Sequence, residues 1–297
     1  MIIELAVLDV GTRALIGFAI IFVIVAVSAF VMFILQSKKM ITVPVDDEYL
    51  SLDAAYFHEL GKRERQEDAY YISPMGDIKK YGFVVCIADG MGGMKYGKDI
   101  ADKIVERIEK SYPISFFASA HNADMIRDLS NELHNNYGGA GGATLAMAHI
   151  SNGYLNFYSV GDSDIILIRN NEATILNPRQ NYVSILVKNF ALAGKQTHMA
   201  YANAKGRALV DYMGNENPRV IYTQKPMKLC DGDVIIVSSD GLTDAIPWQS
   251  LPSYMNTTLM GTSSEIASRL KINIRTRKHP RQDNYTGVVI TVKRGLL

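Results

Sequence analysis

The sequence predicts an α+β domain in which two antiparallel β-sheets pack face to face and helices cover their outer sides, a β-sandwich with outer helix layers. Three observations carry that expectation. Short apolar, β-branched runs recur along the chain at residues 69–72, 82–88, 143–150, 154–160, 165–169, 173–176, 220–223, 234–238 and 287–292. Ser151-Asn152-Gly153 and Arg169-Asn170-Asn171-Glu172 are short polar turns between such runs, the signature of hairpins and so of antiparallel pairing. Segments with helical periodicity are few and fall between the sets of hairpins, which places helices outside the sheets rather than alternating with strands.

The chain opens with residues 1–13, which hold Glu4, Asp9 and Arg13, followed at residues 14–35 by a run without a charge. As a helix that run would be about 33 Å long, enough to cross a bilayer. A buried core helix would be apolar along one stripe only, and this stretch is apolar on every face. Val27-Ser28-Ala29 resembles a signal-peptidase site, but the apolar run continues through Leu35 and the preceding segment is a poor positive region, so an uncleaved transmembrane helix is expected. Lys38 and Lys39 after the span place the rest of the chain on the cytoplasmic side, which makes this a single-pass membrane protein. Residues 36–50, with Pro44 and Asp46-Asp47-Glu48, read as a linker, and residues 51–297 as one domain.

Within that domain Ile100, Ile104, Val105 and Ile108 line one face of a helix that begins near Lys98. Met125, Ile126, Leu129 and Leu133 make the stripe of a second helix over 122–136, and a third covers 263–275. A net charge of +1 and the lack of a basic stripe interleaved with aromatics argue against a nucleic-acid partner; the basic run 271–281 reads as a solvated helix face. Cys86 and Cys230, each beside apolar residues and far apart in sequence, read as buried thiols of a reducing compartment.

Acidic patches recur along the chain at Glu67-Asp68, Asp89-Gly90-Met91-Gly92-Gly93, Gly161-Asp162-Ser163, Ser239-Asp240-Gly241 and Asp283-Asn284, and three of them directly follow the apolar runs 82–88, 154–160 and 234–237. Each alone fits a turn, where Gly supplies the positive φ and Asp accepts from backbone donors. Turn chemistry does not explain their recurrence after the most hydrophobic segments. Converging carboxylates need a cation, and oxygen donors suit hard divalent ions such as Mg2+ or Mn2+.

In order and spacing, Arg63-x-x-x-Glu67-Asp68-Ala69, Ala88-Asp89-Gly90-Met91-Gly92-Gly93, Gly142-Ala143-Thr144, Val160-Gly161-Asp162-Ser163, Ser239-Asp240-Gly241-Leu242-Thr243-Asp244 and Asp283-Asn284-Tyr285-Thr286 resemble the motifs of the PPM, or type 2C, metal-dependent protein serine/threonine phosphatases, over about residues 52–292. The resemblance implies hydrolysis of phosphoserine and phosphothreonine in phosphorylated proteins by a water activated at two Mn2+ or Mg2+ ions, with a third ion in some members. It implies that Asp89 bridges the two ions with the carbonyl of Gly90 assisting, that Asp240 and Asp283 hold the first, that Glu67 and Asp68 act on the second mainly through waters, and that Asp162 with Asp240 serves the third. Arg63 would grip the phosphate, its planar fork matching two oxygens; its alternative is a surface ion pair with Glu64 or Glu67. Thr144 and Asn284 would support these groups from behind.

Two departures matter. Met91 stands where many eukaryotic members have the His that protonates the leaving alkoxide, and Met cannot do so. Residues 177–214 fit the pattern poorly and correspond to a variable flap, whose Arg179, His198, Lys205 and Arg207 are candidate substrate contacts or ordinary surface. Two other readings of the site are a catalytically silent signalling receptor or scaffold of the same fold, and a phosphohydrolase of small molecules or nucleic acid using the same two-metal chemistry, the nucleic-acid form disfavoured by the lack of basic enrichment.

Overall fold

Alternation along the strands settles the architecture, because one face of each sheet packs on the other sheet and the opposite face packs on helices. The structure, a computed structural model, describes residues 43–45, 50–74, 78–202, 208–254, 261–277 and 280–294. The strands are β1 (Val43–Val45), β2 (Leu50–Glu59), β3 (Asp68–Ile72), β4 (Phe83–Asp89), β5 (Leu145–Ser151), β6 (Tyr154–Val160), β7 (Asp164–Arg169), β8 (Glu172–Ile175), β9 (Ile221–Tyr222), β10 (Met227–Lys228), β11 (Val234–Ser238) and β12 (Tyr285–Arg294). The first sheet runs β1-β2-β12-β11-β7-β8 and the second β10-β6-β5-β4-β3, with β9 also on β6; every pairing is antiparallel.

Leu52, Ile87, Ile165, Val237 and Val288 belong to the apolar layer between the sheets. Outside the second sheet lie α2 (Gly97–Ser111) and α3 (Ser119–Tyr137), which bury Ile100, Ile104, Ile126 and Leu129. Outside the first lie α5 (Asp240–Ala245), α6 (Ser263–Arg277) and the 3-10 turn Trp248–Tyr254, with Ile266, Leu270 and Ile274 against Phe57, Ile236 and Val289. Burial of each such side chain contributes about 1.5–3 kcal/mol. Two further helices, α1 (Ile78–Tyr81) and α4 (Tyr182–Leu192), lie in connections.

Every predicted run contains a strand, while β1, β2 and β10 escape the apolar-run criterion. Strand β2 does so because Asp53, Ala54 and Ala55 are poor strand formers. Asp53 is nonetheless buried there, since its Oδ2 accepts from the backbone N–H of Ser263 at 2.9 Å and so caps α6. The expected linker 36–50 is corrected in part: Val43–Val45 is a strand paired to Leu50–Leu52, held by the sheet edge. The expected transmembrane helix 14–35 and the segment 1–13 lie outside the described residues, among which no helix is long and apolar enough to cross a membrane. Cys86 is buried as expected; Cys230 is exposed, because the turn between β10 and β11 carries it outward. In the basic run, Lys271 and Arg275 are engaged by Glu59 rather than solvated alone.

Candidate active site

Strand ends from both sheets deliver the carboxylates to one edge of the sandwich. Asp68 opens β3 and lies directly opposite Asp89, which closes β4. Asp162 sits in the turn from β6 to β7, Asp240 begins α5 two residues after β11, and Asp283 precedes β12 by two residues. Their proximity is felt electrostatically. Burial raises the carboxyl of Asp89 well above the usual range, and the charges of Asp68, Asp240, Asp162 and Asp283 raise it further. Burial does the same to Asp240, reinforced by Asp162, Asp244, Asp283 and Asp68. Asp162 is raised as well, chiefly by burial.

Asp68 is the most enclosed of the set. Its Oδ2 accepts from Ser239 Oγ at 2.9 Å and Thr286 Oγ1 at 2.6 Å, while Oδ1 is buried without a hydrogen-bond partner. Burial pushes this carboxyl up to about 6 although both hydroxyls pull it down. Thr286 Oγ1 also meets His58 Nδ1 at 2.8 Å, so a polar chain runs from Asp68 to β2.

Arg63 and Glu67 lie on the loop between β2 and β3, and Asn284 holds that loop in shape. The Asn284 amide donates to the carbonyls of Leu60 (2.8 Å) and Arg65 (2.9 Å), and its Oδ1 accepts from the Glu67 N–H at 2.8 Å. Arg63 then reaches Asp283 Oδ2 at 2.6 Å. Its partner is therefore a carboxylate of the cluster, not Glu64 or Glu67 as a surface ion pair would have it. The Asp89-Gly90-Met91-Gly92-Gly93 turn passes beneath: the Gly90 N–H donates to Glu67 O at 3.2 Å, and a Cβ at Gly90 would come within 2.8 Å of Glu67 O and Gly97 C. A side chain there would push the loops apart.

Thr144 stands beside the backbone of Asp89. Its Oγ1 accepts from the Asp89 N–H at 3.1 Å and shares a hydrogen bond with Ser163 Oγ at 2.6 Å, which ties β4 to the turn bearing Asp162. Asp162 Oδ2 accepts from Asn181 Nδ2 at 3.2 Å. Among the flap candidates, Arg179 is mostly enclosed and makes a two-pronged ion pair, at 2.8 and 2.5 Å, with fully buried Asp164, which Thr243 also supports at 2.7 Å. His198 is exposed, and Lys205 and Arg207 lie outside the described residues. Sequence reasoning missed Asp164, Ser239, Thr286 and Gln180. Ser239, Thr286 and Asp164 each stand within three residues of a recognised acidic residue, and nothing local marks Gln180.

Among the described residues, no three Asp, Glu, His or Cys side chains are set closely enough around one point to hold an ion. Asp283 is turned to Arg63, Asp162 to Asn181, and Asp68 to Ser239 and Thr286. The donor chemistry still fits hard divalent cations: buried carboxylates that raise one another, a buried Asp68 oxygen without a partner, and backbone carbonyls at the same turn.

No protein-family model matches the chain. A rice protein, "Probable protein phosphatase 2C 71" of Oryza sativa subsp. japonica, is 24% identical over 214 residues, which cover 69% of this chain and 38% of that protein. The chain thus matches well under half of the relative's length. The serine/threonine phosphatase of S. agalactiae superposes with a TM-score of 0.68 at 22% identity, covering 81% of this chain and 99% of that one. Mycobacterium tuberculosis PstP/Ppp gives 0.66 at 21% identity, covering 82% and 99%, and a PstP catalytic domain solved with two manganese ions gives 0.64 with the same identity and coverage. These likenesses establish the fold, and they span nearly the whole of each neighbour.

Proposed function

We propose that the chain is a metal-dependent phosphoprotein phosphatase that hydrolyses phosphoserine and phosphothreonine side chains with water as nucleophile. The observation that carries this reading is the meeting of five buried or half-buried aspartates from both sheets with an arginine at their rim. Asp89, with the Gly90 carbonyl assisting, and Asp240 and Asp283 would hold two Mn2+ or Mg2+ ions, Glu67 and Asp68 would support them, and Asp162 with Asp240 would serve a third. When bound, two divalent ions make hydroxide available near neutral pH and draw charge from the phosphoryl oxygens. The neighbour solved with two manganese ions has the same fold, which supports the choice of ion.

The chain's own residues orient the reaction. Arg63 stands half-exposed over the acidic turn and presents further N–H donors to a phosphate dianion beyond the one spent on Asp283. Asn284 fixes the loop from which Arg63 and Glu67 project, and Thr144 fixes the backbone of Asp89. Met91 has no proton to give, so the leaving alkoxide takes its proton from water. Residues 14–35 are read as a single membrane span with the phosphatase domain in the cytoplasm, and the partners as phosphorylated proteins rather than nucleic acid.

Purified residues 41–297 should hydrolyse p-nitrophenyl phosphate and phosphothreonine peptides in Mn2+, and Asp89→Asn should lower kcat by about 10²–10³-fold, as loss of a central electrostatic group does. Calorimetry alongside separates the silent-scaffold reading: Mn2+ binding without turnover of either substrate would overturn the proposal.

A further inference from the structure

Helix α4 departs from every other long helix of the domain. It contains no buried residue, although Tyr182–Leu192 reads YVSILVKNFAL. Tyr182, Ile185 and Leu192 follow one another at helical spacing on the exposed side, and Leu192 is 78% exposed. Beside α4 packs the 3-10 turn Thr197–Ala202, where Met199 is 57% and Tyr201 71% exposed. Half of the large apolar side chains left in water among the described residues fall in α4 and this turn. No Asp or Glu occurs anywhere in residues 173–210, whereas Lys188 and Lys195 are exposed within it. Lys195 Nζ sits 5.8 Å from the centre of the Phe190 ring, so the cation and the apolar side chains share one surface.

We propose that this surface docks on an anionic lipid bilayer, with the apolar side chains in the interfacial layer and the lysines against the headgroups. Such a surface combines a limited apolar area with positive charge and lacks the acidic residues that anionic lipid would repel. A second copy of the chain is a poor occupant. Two-fold pairing of the segment would set Lys188 and Lys195 of both copies together with no carboxylate to offset them. The charge-free run at residues 14–35 makes a bilayer the partner this chain would meet.

The docking surface is joined to the acidic cluster. Its neck is closed by backbone bonds between Tyr182 N and Ala208 O and between Val210 N and Gln180 O, both 2.8 Å. Gln180 is fastened to Gly161 through its side chain at 2.7 Å and its backbone at 2.9 Å. Asn181 caps α4 through Oδ1, which accepts from the Ser184 N–H, while its Nδ2 donates to Asp162. A force on α4 therefore reaches the turn that carries Asp162.

The inference does not depend on the reaction catalysed, and the test reads binding. Residues 41–297 form one compact unit, and the neighbours, which cover about this length, stand as independent chains, so this portion can be tested alone. In flotation it should partition onto phosphatidylglycerol/phosphatidylcholine vesicles and not onto phosphatidylcholine alone. Replacing Lys188 and Lys195 by Ala should weaken partitioning by about 25-fold, about fivefold for each lysine near the surface. Leu192→Asp should abolish it, while Ile272→Asp, at an exposed apolar residue of α6, should leave it unchanged. All these positions are exposed, so melting temperatures should stay level and confirm folded samples. Absence of partitioning, or equal partitioning of wild type and the α4 variants, would overturn the proposal. So would self-association that Leu192→Asp dissolves, or a phosphopeptide KM that rises in Leu192→Asp without vesicles, since these would assign the surface to a second copy or to a protein substrate.

Discussion

The two ends of strand β7 treat buried carboxylates in opposite ways from the acidic edge beside them. At its start, Asp164 is 0% exposed and receives both prongs of Arg179; at its far end, Arg169 gives both prongs, at 2.8 and 2.7 Å, to Asp233, which is 1% exposed. Near Asp164, the carboxylates of Asp68, Asp89, Asp162 and Asp240 have hydroxyls, amides and one another but no ion pair of their own among the described residues, and Arg179 acts on Asp162 and Asp240 only from its place on Asp164. A buried carboxylate with its own arginine is a brace. A group of them without one is held apart from its lowest energy by the fold, and that is where a ligand of opposite charge gains most.

The sharpest test of this contrast compares one member of each kind. Asp164→Asn should destabilise the domain by about 3 kcal/mol in urea unfolding, because the largely enclosed Arg179 loses the carboxylate that both its prongs engage. Adding Arg179→Gln should cost less than the sum of the two single changes. Asp89→Asn should do the reverse in metal-free buffer, leaving the midpoint level or raised, since it removes a repelled charge. Equal losses from both substitutions would erase the distinction.

A smaller effect is expected from Asn284→Ala, which strands the carbonyls of Leu60 and Arg65 and the N–H of Glu67. It should cost about 2–3 kcal/mol and lower kcat/KM through a displaced Arg63. Unchanged kinetics at unchanged stability would show that the loop holds its shape without this amide.

The smallest effect concerns a buried titratable group with no charged partner. His149 Nε2 donates to Tyr81 O at 3.0 Å, and Nδ1 is buried without a partner. Burial lowers its pKa below the ordinary 6.5, so the fold prefers the neutral ring. Its contribution is complete above about pH 6.5 and is lost as pH falls toward the lower folded value. The slope there is at most about 1.4 kcal/mol per pH unit. His149→Gln should flatten that part of the stability profile, and an unaltered profile would mean that the acid limb belongs to the carboxylates.

Much of the site can be read in the chain because antiparallel strands end where their apolar runs end. A carboxylate one or two residues beyond such a run is delivered to a sheet edge, as Asp89, Asp162 and Asp240 are, whereas Asp283 reaches that edge from two residues before β12. Strand β2 stayed hidden because Asp53 looks like a loop residue until the N-terminus of α6 is seen above it. Helix α4 stayed hidden because its apolar residues make no stripe facing a core. Arg179 could not be separated from surface arginines, since Asp164 becomes its partner only when β7 and the flap neck are brought together.

The sequence by itself therefore determined the sandwich and marked the acidic residues and Arg63 as candidates, since each depends on local pattern and residue chemistry. Only the tertiary structure decided which acids are neutralised and which are left to repel, and that α4 faces outward. Both depend on distances between segments far apart in the chain, and burial turns those distances into energies.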